Sequence, residues 1–376
     1  MKAITYQGMR NVQVKKVTDP WIQNENDIII KVSSTAICGS DLHLIHGMIP
    51  NMPRDYILGH ETMGTVEEMG ANVKSLKKGD RVIVPFPISC GHCWFCQHDL
   101  WSQCDNSNTY GEAGAIFGYS NTFGGYDGGQ AEYLRVPYGD VGPKLVPEGL
   151  KDEEILFLTD ILPTAFWGVE SGGVKLGDTV VVLGCGPVGL LAQKWAAYMG
   201  ADRIIAVDNV TYRLDHAGKN NKVETVNFEK HNNTGEYIKE ITLGGADVVV
   251  DCVGMDGKMT VIEKAETLLK LQGGSKSAIE IAAQAVRKGG TVSMVGVYGG
   301  RYNNFPLGDF FSRNITLKMG QCPVHSYVDK ILQLISDKKI DATDIITHIL
   351  PLNQGEHAYE IFDHKQDNCI KVILKP

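Results

Sequence analysis

The stretch Val180-Val181-Val182-Leu183-Gly184-Cys185-Gly186-Pro187-Val188-Gly189-Leu190-Leu191 decides the fold of the second half of this chain. Its apolar run reads as a buried strand, its Gly-x-Gly-x-x-Gly as a tight turn, and the residues beyond as a helix without an early breaker. Glycine-rich turns are common, so the surroundings carry the argument. Another apolar run, Arg203–Val207, follows the helix and ends in an acidic residue, Asp208, about twenty residues past the turn. Glycines at these positions let backbone N–H groups approach a pyrophosphate at the helix N-terminus, where the helix dipole favours negative charge. Gly184, Gly186, Pro187, Val188 and Gly189 are therefore candidate dinucleotide-binding residues, and Asp208 is expected to accept hydrogen bonds from the adenosine ribose. A phosphate on that ribose would meet the carboxylate, which favours NAD over NADP. Arg213, five residues past Asp208, reads either as a cover for the adenine or as an exposed helix arginine.

Outward from this turn, Thr179–Leu183, Arg203–Val207, Asp247–Asp251 and Thr291–Val295 alternate with helix-length segments. That alternation predicts βαβ units and an α/β, doubly wound parallel sheet. The first 165 residues differ, with short apolar runs such as Asp27–Val32 and Arg81–Val84 set between Gly-Asp and Pro turns. Short strands return at Ile345–Leu350 and Ile370–Leu374, and are expected to complete the first domain. The boundaries are 1–165 with 323–376 for that domain and 166–322 for the nucleotide domain. At 376 residues the chain can bury two cores. A net charge of −8 with scattered lysines argues against nucleic acid as a partner. No apolar run approaches the roughly 20 residues of a membrane span, and Met1-Lys2-Ala3-Ile4-Thr5 opens no signal segment. A cytoplasmic protein is the expectation.

Cys90, Cys93, Cys96 and Cys104 lie within fifteen residues, Cys-Gly-His-Cys-Trp-Phe-Cys-Gln-His-Asp-Leu-Trp-Ser-Gln-Cys. Two-residue gaps let one turning segment present its sulfurs to a common centre, and four thiolates suit a tetrahedral structural Zn²⁺. Disulfides are the alternative, disfavoured because nine cysteines cannot all pair. His92 and His98 stand among the thiolates but are read as solvated, since four sulfurs already complete the site. Cys185, Cys252 and Cys369 adjoin apolar segments and are read as packing.

A second constellation is dispersed: Cys38 in Cys-Gly-Ser-Asp-Leu-His, residues 38–43, and His60 with Glu61 in Gly-His-Glu, residues 59–61. With the cysteine lobe and the Gly-x-Gly-Pro-Val-Gly turn in order behind them, the chain resembles the zinc-dependent alcohol dehydrogenases of the medium-chain dehydrogenase/reductase family from end to end. The resemblance implies a β-rich GroES-like catalytic domain, carrying the lobe 90–104, and a Rossmann-type NAD-binding domain. It also implies a catalytic zinc on Cys38, His60 and Asp160, the aspartate replacing a cysteine used by many relatives. Ser40 and His43 match the family's proton relay, although both could instead cap a helix start. Glu61 would be a transient ligand or a carboxylate behind the ligands, and Val253 is counted with the cofactor-binding residues.

An aspartate at position 160 resembles bacterial secondary-alcohol enzymes. Three stretches resemble the glutathione-independent formaldehyde dehydrogenases: Asp160–Thr164, Gly129-Gln130-Ala131-Glu132-Tyr133 and Gly320-Gln321-Cys322-Pro323-Val324. The segment 255–290 is similar to a shortened form of their insertion near the adenine pocket. The activity implied is hydride transfer between a short-chain alcohol, aldehyde or ketone and NAD, in a homotetramer or homodimer with two zincs per chain. Polyol oxidation and formaldehyde dismutation with retained NAD are the alternatives. A non-catalytic nucleotide-binding relative would have no use for an open metal site. His46 and His325 are secondary candidates for the substrate cleft.

Overall fold

The computed structural model describes residues 1–109, 111–257 and 273–376, and the chain divides into two compact units, Thr164–Cys322 and Met1–Pro163 with Pro323–Pro376. Of the segment 255–290 expected to carry an insertion, residues 258–272 lie outside the described residues. Among the described residues no helix is long and apolar enough to cross a membrane.

In the first-named unit Thr179–Leu183 lies inside a six-stranded sheet ordered Glu224–Asn227, Arg203–Asp208, Thr179–Leu183, Ala246–Asp251, Val286–Met294, Thr316–Met319. Every pairing is parallel. The order runs outward from the middle in both directions, which leaves a crevice at the carboxyl ends of Thr179–Leu183 and Ala246–Asp251. Val180, Val181 and Val182 are fully buried, as expected where both faces of a parallel sheet are covered. The helix Pro187–Tyr198 buries Trp195 edge-on against Phe166, ring centres 4.9 Å apart. The strand expected from Thr291 begins earlier, at Val286, and runs through Gly289 at φ +70° with a register shift against Ala246–Asp251. Glycine absorbs that left-handed residue, so the pair that looks like a strand stop is part of the strand.

The other unit is built on Ile28–Ala36, which pairs with Glu61–Met69 along its length, with Tyr133–Val136 at one end and with Lys371–Lys375 at the other. Ile28, Ile30, Val32, Val66, Val82, Leu134 and Val136 form the core beneath this sheet. The C-terminal strand is thus structurally part of the unit begun by the N-terminus.

Candidate metal centres and nucleotide cradle

Strand register assembles the first centre. Ala36 pairs with Glu61, so the residues next to that pair, Cys38 and His60, emerge together at one end of the sheet. Cys38 precedes the helix Gly39–Ile45, its N–H donating to Asp41 Oδ2 at 3.0 Å. Asp160 follows the turn Leu156–Thr159, which is fixed by a hydrogen bond from the Phe86 N–H to the Thr159 carbonyl at 2.9 Å. All four residues, Cys38, His60, Glu61 and Asp160, are buried, with one ligand atom each inside a 4.8 Å span. Asp160 Oδ2 stands 3.6 Å from Cys38 Sγ and 3.2 Å from His60 Nε2, and Ser40 Oγ lies 3.3 Å from the same nitrogen.

The donor set fits zinc. A thiol, an imidazole nitrogen and a carboxylate converge, and Glu61 Oε2 is buried without a hydrogen-bond partner among the described residues. Burial pushes the Cys38 thiol up, and the charges of Asp160 and Glu61 push the same way. A divalent cation reverses both influences, so metal uptake would release the thiol proton. Burial alone would lower His60, but Asp41 and Asp160 carry it well above the ordinary imidazole range. Behind the cluster, Lys371 Nζ meets Glu61 Oε1 at 2.6 Å with both side chains fully buried, and donates to the Ile37 carbonyl at 2.8 Å. Burial raises the Glu61 carboxyl against the pull of Lys371. Lys371 was not a sequence candidate. Its signal is a lysine inside the apolar strand Ile370–Leu374, where only a buried anion makes it tolerable.

His43 is buried, with Nδ1 3.4 Å from the Tyr119 hydroxyl. His46 pairs with Asp363 at 3.0 Å, and His325 is buried and stacked on Trp101 at 5.0 Å between ring centres. Burial holds the His325 imidazole down to about 3, so it is neutral and packs as a ring.

The second centre is the cysteine lobe. Cys93 Sγ lies 3.5 Å from Cys96 Sγ and 3.9 Å from Cys104 Sγ, and all four sulfurs fall within 4.8 Å of one another. The edge of a tetrahedron with 2.3 Å metal–sulfur bonds is about 3.8 Å, so the set fits zinc. The N–H groups of Cys90, His92 and Cys93 and the Asn106 amide point at the sulfurs, as donors to thiolates would. No cysteine is in a disulfide. His92 and His98 are exposed, and both bond backbone carbonyls through Nδ1.

The nucleotide turn shows why its glycines are needed. Gly184 has φ +89°, and a Cβ on Gly189 would stand 1.9 Å from the Gly184 carbonyl oxygen. A Cβ on Gly186 would meet only Arg213 Nη1, at 3.7 Å, so the backbone is open where a pyrophosphate would approach. Pro187 opens the helix, leaving the N–H groups of Val188 and Gly189 in its first turn. Val253 borders Gly184 at the end of Ala246–Asp251. Asp208 accepts from the N–H groups of Cys185 at 2.6 Å, Asn209 at 2.7 Å and Val210 at 2.9 Å. Oδ1 takes the Asn209 and Val210 N–H groups and Oδ2 only that of Cys185, so Oδ2 keeps a lone pair for a ribose hydroxyl and the cradle fits a dinucleotide. Arg213 reaches toward Gly186 with a buried Nε that has no hydrogen-bond partner among the described residues.

Comparison with known proteins agrees with this geometry. A family model described as alcohol dehydrogenase GroES-like domain matches residues 24–147, and one described as zinc-binding dehydrogenase matches residues 187–274. The whole chain is 60% identical to the whole of a zinc-type alcohol dehydrogenase-like protein, AdhB, of Bacillus subtilis (strain 168). It is 33% identical to a glutathione-independent formaldehyde dehydrogenase of the same organism, over 96% of this chain and 94% of that one. Among solved structures it is similar to alcohol dehydrogenase TADH from Thermus sp. ATN1, with a TM-score of 0.85 and 35% identity over 100% of this chain and 99% of that one.

Proposed function

The chain belongs to the zinc-dependent alcohol dehydrogenase family and is an oxidoreductase, and from that premise we propose that it moves hydride between a short-chain alcohol and NAD at the centre formed by Cys38, His60 and Asp160. The observation that carries this reading is the convergence of these three buried ligands with Glu61 and Ser40 beside them. Zinc would supply Lewis acidity to the alcohol oxygen, and NAD⁺ would accept the hydride. The residues do the rest. Ser40 Oγ would take the proton as it passes its own hydroxyl proton to the nicotinamide ribose, and His43, three residues on in the same short helix, would be the next base. Because His43 is buried against Tyr119, its imidazole receives that proton away from bulk water. Lys371 holds one oxygen of Glu61 and leaves the other facing the ligands. Ethanol, 2-propanol and formaldehyde distinguish the substrate classes: NADH release with the alcohols is expected, whereas formaldehyde turnover without NADH release would indicate retained NAD and dismutation. Failure of all three to turn over with NAD or NADH would overturn the reading.

Asp208 is proposed to set cofactor choice. A 2′-phosphate brought against its carboxylate in a partly buried turn costs on the order of a few kcal/mol. Asp208→Gly should weaken NAD use and reduce the NAD-to-NADP ratio of kcat/KM by about one to two powers of ten. The ratio is the measurement that matters, since loosening the turn lowers both cofactors together. A ratio unmoved by the substitution would refute the role.

A homo-oligomer is proposed as well. Thr316–Met319 is an edge strand of the parallel sheet, and Leu307, Phe311 and Met319 around it are more than half exposed. A light-scattering mass of one chain would refute it. Nine free cysteines, four of them clustered as thiolate ligands, support a reducing, cytoplasmic setting.

A further inference from the structure

We propose that Gln130 and Tyr359 are positioning residues for the zinc ligand His60, forming a hydrogen-bonded clamp that reaches the imidazole through Asp41. The inference rests on the reading of Cys38, His60 and Asp160 as a zinc centre. Tyr359, on the helix Gly355–Asp363, donates its hydroxyl to Gln130 Oε1 at 2.8 Å. Gln130 Nε2 donates to Asp41 Oδ2 at 3.1 Å and to the Ala36 carbonyl at 3.2 Å. Asp41 Oδ2 also accepts the Cys38 N–H at 3.0 Å, and Asp41 Oδ1 faces His60 Nδ1 at 3.2 Å. Gln130, Asp41, His60 and Tyr359 are all at most 3% exposed, so water does not substitute for any of these bonds.

The donors and acceptors fix a direction. Turned over, the Gln130 amide would set its oxygen against the Asp41 carboxylate and the Ala36 carbonyl, two acceptors that offer it no hydrogen. Asp41 and the Ala36 carbonyl therefore fix which way the amide faces, Tyr359 caps its oxygen, and the amide gives Asp41 a second donor beside the Cys38 N–H. An Asp41 carboxylate held this way stands 3.2 Å from His60 Nδ1, an ion-pair contact without hydrogen-bond alignment, and its charge favours the ring hydrogen on that nitrogen, leaving Nε2 for the metal.

The surroundings are shaped for this side chain. Gly59 has φ +102°, and a Cβ on it would stand 2.4 Å from Gln130 Cγ. The Gln130 backbone is anchored separately, its N–H to the Leu58 carbonyl at 2.9 Å and its carbonyl to the Ile4 N–H at 2.8 Å. Losing the amide thus need not loosen the chain, and the clamp can be tested apart from the fold. A glutamine that merely filled a polar gap would show no selective link to one metal.

The test uses the full protein, with zinc counted per chain and its retention followed against a chromogenic chelator. Gln130→Met keeps the length and removes both ends of the amide. The catalytic zinc should then bind about 10–100-fold more weakly while the cysteine-lobe zinc is unchanged. Tyr359→Phe, the gentler change, should weaken the same zinc several-fold, and the double variant should be no weaker than Gln130→Met because both act along one path. Wild-type chelator sensitivity in Gln130→Met, equal loss of both zincs, or additive effects of the two substitutions would overturn the clamp alone. A wild-type protein holding a single zinc, on the lobe, would overturn the underlying zinc-centre reading and the clamp with it.

Discussion

Cys38→Ala should lose one of two zincs per chain and cut kcat/KM by at least about three powers of ten, while the protein stays folded. Cys38 is one of only three proposed catalytic-zinc ligands, and it supplies the softest donor. Glu61 can offer only Oε2, since Lys371 holds Oε1 at 2.6 Å, and a single carboxylate oxygen is a poor replacement for a thiolate. Lewis-acid stabilisation of a developing charge is worth several kcal/mol, and each 1.36 kcal/mol is a factor of ten in rate. The fold should tolerate the change. Sγ to Cβ truncation in this buried site removes one heavy atom, a cost of about 1 kcal/mol, and the cysteine lobe shares no ligand with the site. Metal analysis with a steady-state assay checks both halves of the expectation. Two tightly held zincs in the variant would remove Cys38 from the ligand set.

What could be read from the sequence follows the distance over which each feature is encoded. The strand Thr179–Leu183 and its glycine turn lie in one stretch, and the cysteine lobe is a spacing pattern within fifteen residues. Cys38, His60 and Asp160 are up to 122 positions apart, and only the order of several motifs tied them together. The residues behind them were not legible. Gln130 and Tyr359 are 229 positions apart, Glu61 and Lys371 are 310, and each pair meets only because Ile28–Ala36 takes partners from both ends of the chain. Asp41 stood in the quoted motif without a role. The structure gives it two: it accepts the Cys38 N–H at the helix start and stands against His60. The relay implied for Ser40 and His43 runs through the nicotinamide ribose, and the motif Cys-Gly-Ser-Asp-Leu-His does not show that His43 is buried with its Nδ1 against Tyr119.

Cys96→Ser should remove the lobe's zinc and lower the thermal midpoint before any effect on chemistry appears. Cys96 is 2% exposed, and its sulfur is one of four that converge within 4.8 Å. A serine hydroxyl does not ionise near neutral pH and is a poor substitute for a thiolate toward zinc. Without the metal, Cys90, Cys93 and Cys104 would crowd three sulfurs into a pocket whose apolar support is little more than Trp101 and Tyr138. Such a lobe is too small to be held by burial alone. Structural zinc contributes an apparent ~10–16 kcal/mol in zinc-finger peptides, so losing even about 5 kcal/mol here would lower the midpoint by roughly 10–20 °C for a domain of this size. The catalytic ligands lie on other segments, so the fraction that stays folded at low temperature should keep its zinc at Cys38 and its kcat. Calorimetry and metal analysis on the same sample decide the matter. A variant with one zinc fewer and an unchanged midpoint would mean that the lobe's metal does not hold the fold.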